Sequence, residues 1–255
     1  MNRLSFAAFA AVLVVSSTIA LADPRPFTFT TDTYAMGKGN FEYEQWVTWR
    51  HHKEDDSGYD KVEFRHEFEF GLADNFDFAV YLPSWSYEDS EDQQGAKFGS
   101  IDVEGIYYIS NPRTDFVGVG LYAEAKIGDE FLGFEGKLLV QKDIGQWVFA
   151  YNLVLETSID GVFNSTVENE VEGEIKHTFG VSYALTPSLL VGGEAFIESA
   201  YADWSVYEKT AVYAGPVVSW QGHDHFWVTV TALFQVSSEA DEPDFRLRMI
   251  AGWVF

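Results

Sequence analysis

The chain has 255 residues and a formal charge of −24, with 40 Asp and Glu against 16 Lys and Arg. That balance repels nucleic acid, whose phosphates need a basic partner. The absence of cysteine excludes disulfides, thiolate metal sites and lipid attachment at a cysteine. Aromatic residues make up 17% of the chain, yet no apolar run beyond the first 22 residues could form a membrane helix, which needs about 20 residues.

Residues 1–22 combine a basic start at Arg3, an apolar stretch from Phe6 to Val15, and Ala20-Leu21-Ala22 before Asp23. The pattern predicts a cleaved secretory signal peptide. Residues 23–39 read as an N-terminal extension, with three readings open: a periplasmic tail, a short plug or an extra strand. From residue 40 to residue 255 the chain reads as one domain of about twelve strands.

In chain order the predicted strands are 40–53 and 61–72, then 76–87 and 100–109, then 116–126 and 134–142. They continue with 147–157 and 171–185, 189–199 and 210–220, and 226–236 and 244–255. Within each pair lies a longer polar connection: 54–60, 88–97, 128–130, 158–170, 200–208 and 237–243. Between pairs the connections are short and built from turn residues: 73–75, 111–115, 143–145, 186–188 and 221–225. Strict alternation of long and short connections is the topology of an all-β, up-and-down, transmembrane antiparallel barrel of a Gram-negative-type outer membrane.

Periodicity within the strands agrees. Val62, Phe64, Phe68, Phe70 and Leu72 share one face, and Glu63, Arg65, Glu67 and Glu69 the other. The final run behaves alike: Phe245, Leu247, Met249, Ala251, Trp253 and Phe255 form an apolar face. A last strand ending on Trp253 and Phe255 is read as the signal presented to the barrel-assembly machinery. A secreted β-sandwich accounts for the alternation but not for the signal peptide, the terminal Phe and the loop rhythm together. His66 and His177 fall on the apolar face, which the pattern leaves unexplained, and residues 210–220, with Pro216, fit either register.

Backbone groups in lipid must be satisfied internally, so such strands span only as a closed barrel with the apolar face outward. The inward face then carries Glu42, Glu44, Glu63, Glu67, Glu69, Asp102, Glu104, Glu124, Glu135, Glu156, Glu172, Glu174, Glu194 and Glu198. Its basic residues are Arg50, Arg65, Lys126, Lys137, Lys176, Arg246 and Arg248. An excess of inward carboxylates attracts cations, so the expected function is a channel or transporter for small cationic or neutral solutes. The competing expectation is a closed barrel, sealed by ion pairs, whose acidic outer loops bind a partner or an ion.

Enzyme chemistry has less to stand on, and the chain is read as a non-enzyme without a cofactor. His51 and His52 lie beside Asp55, Asp56 and Asp60 at a strand end, which is the place for a rim hydrolase. No G-x-S-x-G element supplies a nucleophile. The run His223-Asp224-His225 offers too few ligands for a metal centre, the acidic loops lack a Ca²⁺-loop spacing, and Asn164-Ser165-Thr166 reads as loop. The expected partners are outer-membrane lipid, the assembly machinery and small solutes.

Two segments resemble a broad family of outer-membrane channel-like proteins that includes the MetA-pathway phenol-degradation proteins. They are HEFEFGLADNFDFAVYLP at 66–83 and HTFGVSYALTPSLLVGGE at 177–194, each a strand, a tight turn and a strand. Gly215-Pro216 ahead of Trp220 is similar too, and GKGNFEYEQW at 37–46 resembles the opening of barrels grouped by a domain of unknown function. The resemblance implies a β-barrel and a transport role, and it assigns no catalytic residue. An acidic interior does not favour a hydrophobic phenolic solute.

Overall fold

The structure, a computed structural model, describes residues 25–91, 93–129, 131–163, 168–223 and 225–255. The signal segment and residues 164–167 therefore lie outside the described residues. The strands are β1 (Phe41–His51), β2 (Asp60–Ala73), β3 (Phe76–Tyr81), β4 (Trp85–Asp89), β5 (Gln94–Phe98), β6 (Ser100–Ser110) and β7 (Gly118–Gly128). They continue as β8 (Phe131–Ile144), β9 (Trp147–Asp160), β10 (Glu170–Thr186), β11 (Leu189–Ala202), β12 (Val206–His223), β13 (Phe226–Gln235) and β14 (Phe245–Val254). Neighbouring strands pair antiparallel, and β1 pairs with both β14 and β2, so the sheet closes on itself.

Fourteen segments make twelve staves. Both β3 and β4 pair with β2, and the register that joins Phe76 to Tyr107 continues unchanged to Trp85 opposite Phe98. The interruption falls at Leu82-Pro83-Ser84, where proline has no N–H to give the ladder. This corrects the loop expected at 88–97: pairing runs up to Asp89 and Gln94, so the hairpin stands beyond the main barrel wall. Strands β9 to β12 likewise run further outward than periodicity suggested, and Asp203 and Trp204 turn the chain at positive φ. Longer connections gather at one end. At the other lie the short turns and both barrel termini, which marks it as the periplasmic end.

Side chains alternate across the wall as the two-residue period requires. The outward set includes Phe70, Leu72, Ile101, Val103, Ile109, Leu121, Phe134, Leu155, Phe179 and Val218, all exposed. In water such a surface would aggregate; in lipid it is the solvated face, and the protein is an outer-membrane barrel. An aromatic girdle circles the periplasmic end, with Trp147 against Tyr183 at 4.8 Å, Phe226 against Trp253 at 5.0 Å and Phe41 against Phe255 at 5.5 Å. Phe255 also donates its backbone N–H to Phe41 O, which ties the last residue to the first strand.

The two misfit histidines are on the outward face, and each has a tyrosine partner on the neighbouring strand. Tyr43 Oη lies 2.8 Å from His66 Nδ1, and Tyr151 Oη lies 2.9 Å from His177 Nδ1. A polar ring facing hydrocarbon is tolerable once paired within the wall. In β12, Ala211, Tyr213, Val217 and Ser219 are buried inward while Val218 and Trp220 face out, which settles its register. Its ladder to β13 skips Gly215 and Pro216, where a Cβ on Gly215 would stand 1.8 Å from Ala232 O.

Candidate channel lumen

The lumen has two halves of different chemistry. Its periplasmic half is filled by residues 25–36, an irregular segment with no ladder of its own. Its backbone must therefore find partners on the wall. Glu194 on β11 takes three in a row, accepting from the N–H groups of Thr28 (2.9 Å), Phe29 (2.9 Å) and Thr30 (2.8 Å). Asn152 on β9 reads Thr31 in both directions, accepting from its N–H at 2.7 Å and donating to its carbonyl at 2.9 Å. Gln141 on β8 accepts from Thr33 N–H at 2.7 Å, and Asp77 on β3 accepts from Met36 N–H at 2.9 Å. The carbonyl of Arg25 accepts from Ser219 and Thr229 on β12 and β13. Wall side chains thus do for this segment what a neighbouring strand does elsewhere. This is the position of a plug, one of the three readings open for residues 23–39, and residues 25–36 are termed the plug.

Packing reinforces those bonds. Phe27, 1% exposed, inserts among Val148, Ala150 and Val217. Phe29 packs on Phe196, and Ala35 on the cluster of Ile106, Tyr108, Tyr122 and Leu139. Inward glycines leave the room: a Cβ on Gly180 would lie 2.6 Å from the Phe27 ring, and one on Gly118 2.2 Å from Thr33 Oγ1. Gly180 is shaped to the plug alone, whereas Gly118 also makes room for Pro112 of the wall, whose Cδ would lie 2.7 Å from that Cβ.

Around the first plug residue the wall is strongly acidic. Arg25 Nε donates to Glu44 at 2.6 Å, and its Nη2 reaches Glu69 at 3.3 Å and Glu67 at 3.7 Å. Trp46 Nε1 donates to Glu44 (2.9 Å) and Glu67 (3.0 Å), while Trp227 Nε1 donates to Glu42.

The outward half holds a cavity of about 350 Å³ whose floor is Arg25, Thr28, Phe29 and Thr31 of the plug. Its wall and floor carry eight Lys and Arg against six Glu, the reverse of the excess counted along the strands. The charges interlock. Arg65 pairs with Asp102 and Glu124 at 2.7 Å each, Lys126 with Glu156 at 2.5 Å, and Lys137 with Glu135 at 2.7 Å. Lys176 joins Glu156 (2.8 Å) to Glu174 (2.5 Å), and Arg246 joins Glu242 (2.7 Å) to Glu198 (3.6 Å). Arg50 pairs with Glu63 at 3.2 Å, and Tyr81 and Tyr122 both donate to Glu104. Arg248 lies over Phe29 and donates to Thr48 Oγ1 and to the Thr28 carbonyl, linking the halves.

Every charged residue assigned to the interior occupies an inward strand position. The structure divides them by depth. Arg50, Glu63, Arg65, Glu104, Glu124, Lys126, Glu135, Lys137, Glu156, Lys176, Glu198, Arg246 and Arg248 line the outer cavity. Glu42, Glu44, Glu67, Glu69 and Glu194 are buried around the plug, Asp102 is buried behind Arg65, and Glu172 and Glu174 lie toward the outer rim. Sequence reasoning missed the plug's neutral partners, Asn152, Gln141, Ser219 and Thr229. Their signal was uncharged polar side chains on inward positions.

The rim histidines go separate ways. His52 Nδ1 is 2.7 Å from Asp244, and His51 Nδ1 is 3.4 Å from Asp60. At the short turn, His225 Nδ1 is engaged by the Val254 carbonyl, and Asp224 lies outside the described residues.

Comparison with known proteins fits this architecture. The chain belongs to DUF6662, a family of unknown function, whose profile matches residues 19–246. No curated protein matches it. Among solved structures it is similar to the COG4313 outer membrane channel from Pseudomonas putida F1, at 11% identity and a TM-score of 0.63, covering 88% of this chain and 98% of that one. It is also similar to the NanC porin (9% identity, TM-score 0.58, 83% and 98% covered). A third is the KdgM porin in complex with disordered oligogalacturonate (10% identity, TM-score 0.53, 85% and 99% covered). At these identities the likeness is one of fold.

Proposed function

We propose that the protein is an outer-membrane channel for small solutes, gated by residues 25–36. The observation that carries this reading is the cavity above the plug. A barrel meant only to be a rigid scaffold needs no charge-lined outer chamber, and a permanently open pore needs no wall side chains committed to one internal segment. The channel or porin character of the similar barrels supports the same reading.

Charge preference follows from depth. With the plug in place, the outer chamber is a neutralised belt that discriminates weakly. With the plug displaced, Glu42, Glu44, Glu67, Glu69, Asp77 and Glu194 lose Arg25 and the plug's N–H groups together. This acidic stretch then faces the path, and cations and neutral solutes are favoured over anions. The many bonds to the plug also favour a second reading, a permanently closed barrel that works through its acidic outer loops.

Swelling of proteoliposomes separates the two. Vesicles carrying the barrel without residues 25–36 should swell fastest in a small cationic solute, more slowly in a neutral one and least in an anionic one of equal size. Equal rates for the three would remove the charge preference, and no swelling from a folded barrel would leave the loop reading.

A further inference from the structure

Four carboxylates, Glu42, Glu44, Glu67 and Glu69, lie on the wall around Arg25, the first plug residue, with exposures of only 8%, 0%, 0% and 6%. Among the described residues Arg25 is the one cation paired with any of them, reaching Glu44, Glu67 and Glu69. Four buried acids against one guanidinium leave the group short of positive charge. Buried charges are tolerated when paired or when they coordinate a metal. Oxygens of Glu42, Glu44 and Glu69 lie within 4.8 Å of one another, close enough to share one ion.

A second feature points to a ligand. Glu67 Oε1 is fully buried and accepts no hydrogen bond, although its partner oxygen takes one from Trp46. It faces the same guanidinium at 3.7 Å, a weak contact for so enclosed an atom. Neutral donors have been spent elsewhere: the two nearby indoles serve Glu42, Glu44 and the other Glu67 oxygen. An oxygen with no donor, on the residue opposite Glu44 in the ladder and facing the same Arg25 as the clustered carboxylates, suits a hard cation that takes six to eight oxygen ligands.

We propose that Glu42, Glu44, Glu67 and Glu69 form a site for a hard divalent cation such as Ca²⁺, which competes with Arg25 for these carboxylates. The site adjoins the floor of the outer cavity, which Arg25 and Trp46 line. A cation entering there weakens the hold on the first plug residue, so divalent-cation concentration would bias the gate. That consequence rests on the gating reading above; the binding itself does not.

The two indoles supply the test. Tb³⁺ takes the ligands Ca²⁺ takes, and its luminescence can be sensitised by tryptophan at close range. Titrating Tb³⁺ into the folded mature barrel in detergent should give a saturable signal that Ca²⁺ displaces. Arg25→Gln removes the competitor and should tighten binding by about tenfold, since a shared site links the two ligands reciprocally. Glu44→Gln/Glu69→Gln should abolish the displaceable signal. If that pair does not fold, Glu42→Gln alone should weaken it, with folding checked by the gel-mobility change on heating. An unchanged signal in the folded glutamine variants, or equal affinity in Arg25→Gln and the parent, overturns the proposal. Because no current is measured, a silent barrel that binds Tb³⁺ here would fail the channel reading while leaving the site intact.

Discussion

The two halves of the lumen are built from the same strands and carry similar residues, yet they do opposite things with charge. In the outer half, carboxylates and bases lie on the same or nearby staves and neutralise one another along the inner face, as Arg50 does with Glu63 and Lys176 with Glu156. In the periplasmic half the acids have few basic neighbours on the wall and turn to the plug: Glu44 to Arg25, and Glu194 to three successive N–H groups. One half is a self-sufficient belt. The other is incomplete without residues 25–36. An inward charge therefore means little until its depth in the barrel is known.

The sharpest way to break this contrast is to empty the hub of the periplasmic half. Glu194→Ala strips the acceptor from Thr28, Phe29, Thr30 and Thr231 at once. Leaving these donors buried should cost about 3 kcal/mol of plug binding or more. We expect frequent openings in bilayer recordings and faster proteolysis near residue 30, with the barrel still folded.

Packing should matter nearly as much. Phe27→Ala removes an aromatic ring from its wall pocket, a change worth about 3–5 kcal/mol in a well-packed core. Gly180→Ala attacks the same contact from the wall, because its Cβ would stand 2.6 Å from that ring. Both should raise openings, whereas alanine at Gly136, whose Cβ meets nothing nearer than 4.0 Å, should not. Equal behaviour of the two glycine variants would mean that the wall is not shaped to the plug.

A smaller effect should follow from altering the outer belt. Lys126→Gln leaves Glu156 and Glu135 without one of their cations. The open channel should become more cation-selective by reversal potential, while the closed state of the intact barrel stays unchanged. Opening of the intact barrel by this variant would contradict the division into halves. The smallest effect concerns neither half. His66→Phe leaves Tyr43 Oη without its ring partner at the lipid face and should cost about 1 kcal/mol in denaturant titrations from lipid vesicles, with gating untouched.

The barrel itself was legible because its signals are periodic. Alternation along β2 and β14 assigned each side chain to a face, and the rhythm of long and short connections gave twelve staves. Strand ends were less so, since pairing above the membrane, as in β4 and β5, needs no apolar alternation. The plug was open among three readings for a physical reason. Residues 25–36 hold their place through side chains of distant staves, such as Asn152 and Gln141, and leave no period of their own. The charge of the outer chamber was hidden too, because a count over strands adds acids from both halves. Glu42 and Glu135 look alike in the sequence, but one lies beside the plug and the other pairs with Lys137.

The most direct test of the gate is single-channel recording in planar bilayers, comparing the mature barrel with one lacking residues 25–36. The account predicts a quiet or rarely opening parent and long, cation-selective steps from the shortened barrel. Currents of the same size and frequency from both, or silence from a shortened barrel shown to be folded, would contradict it.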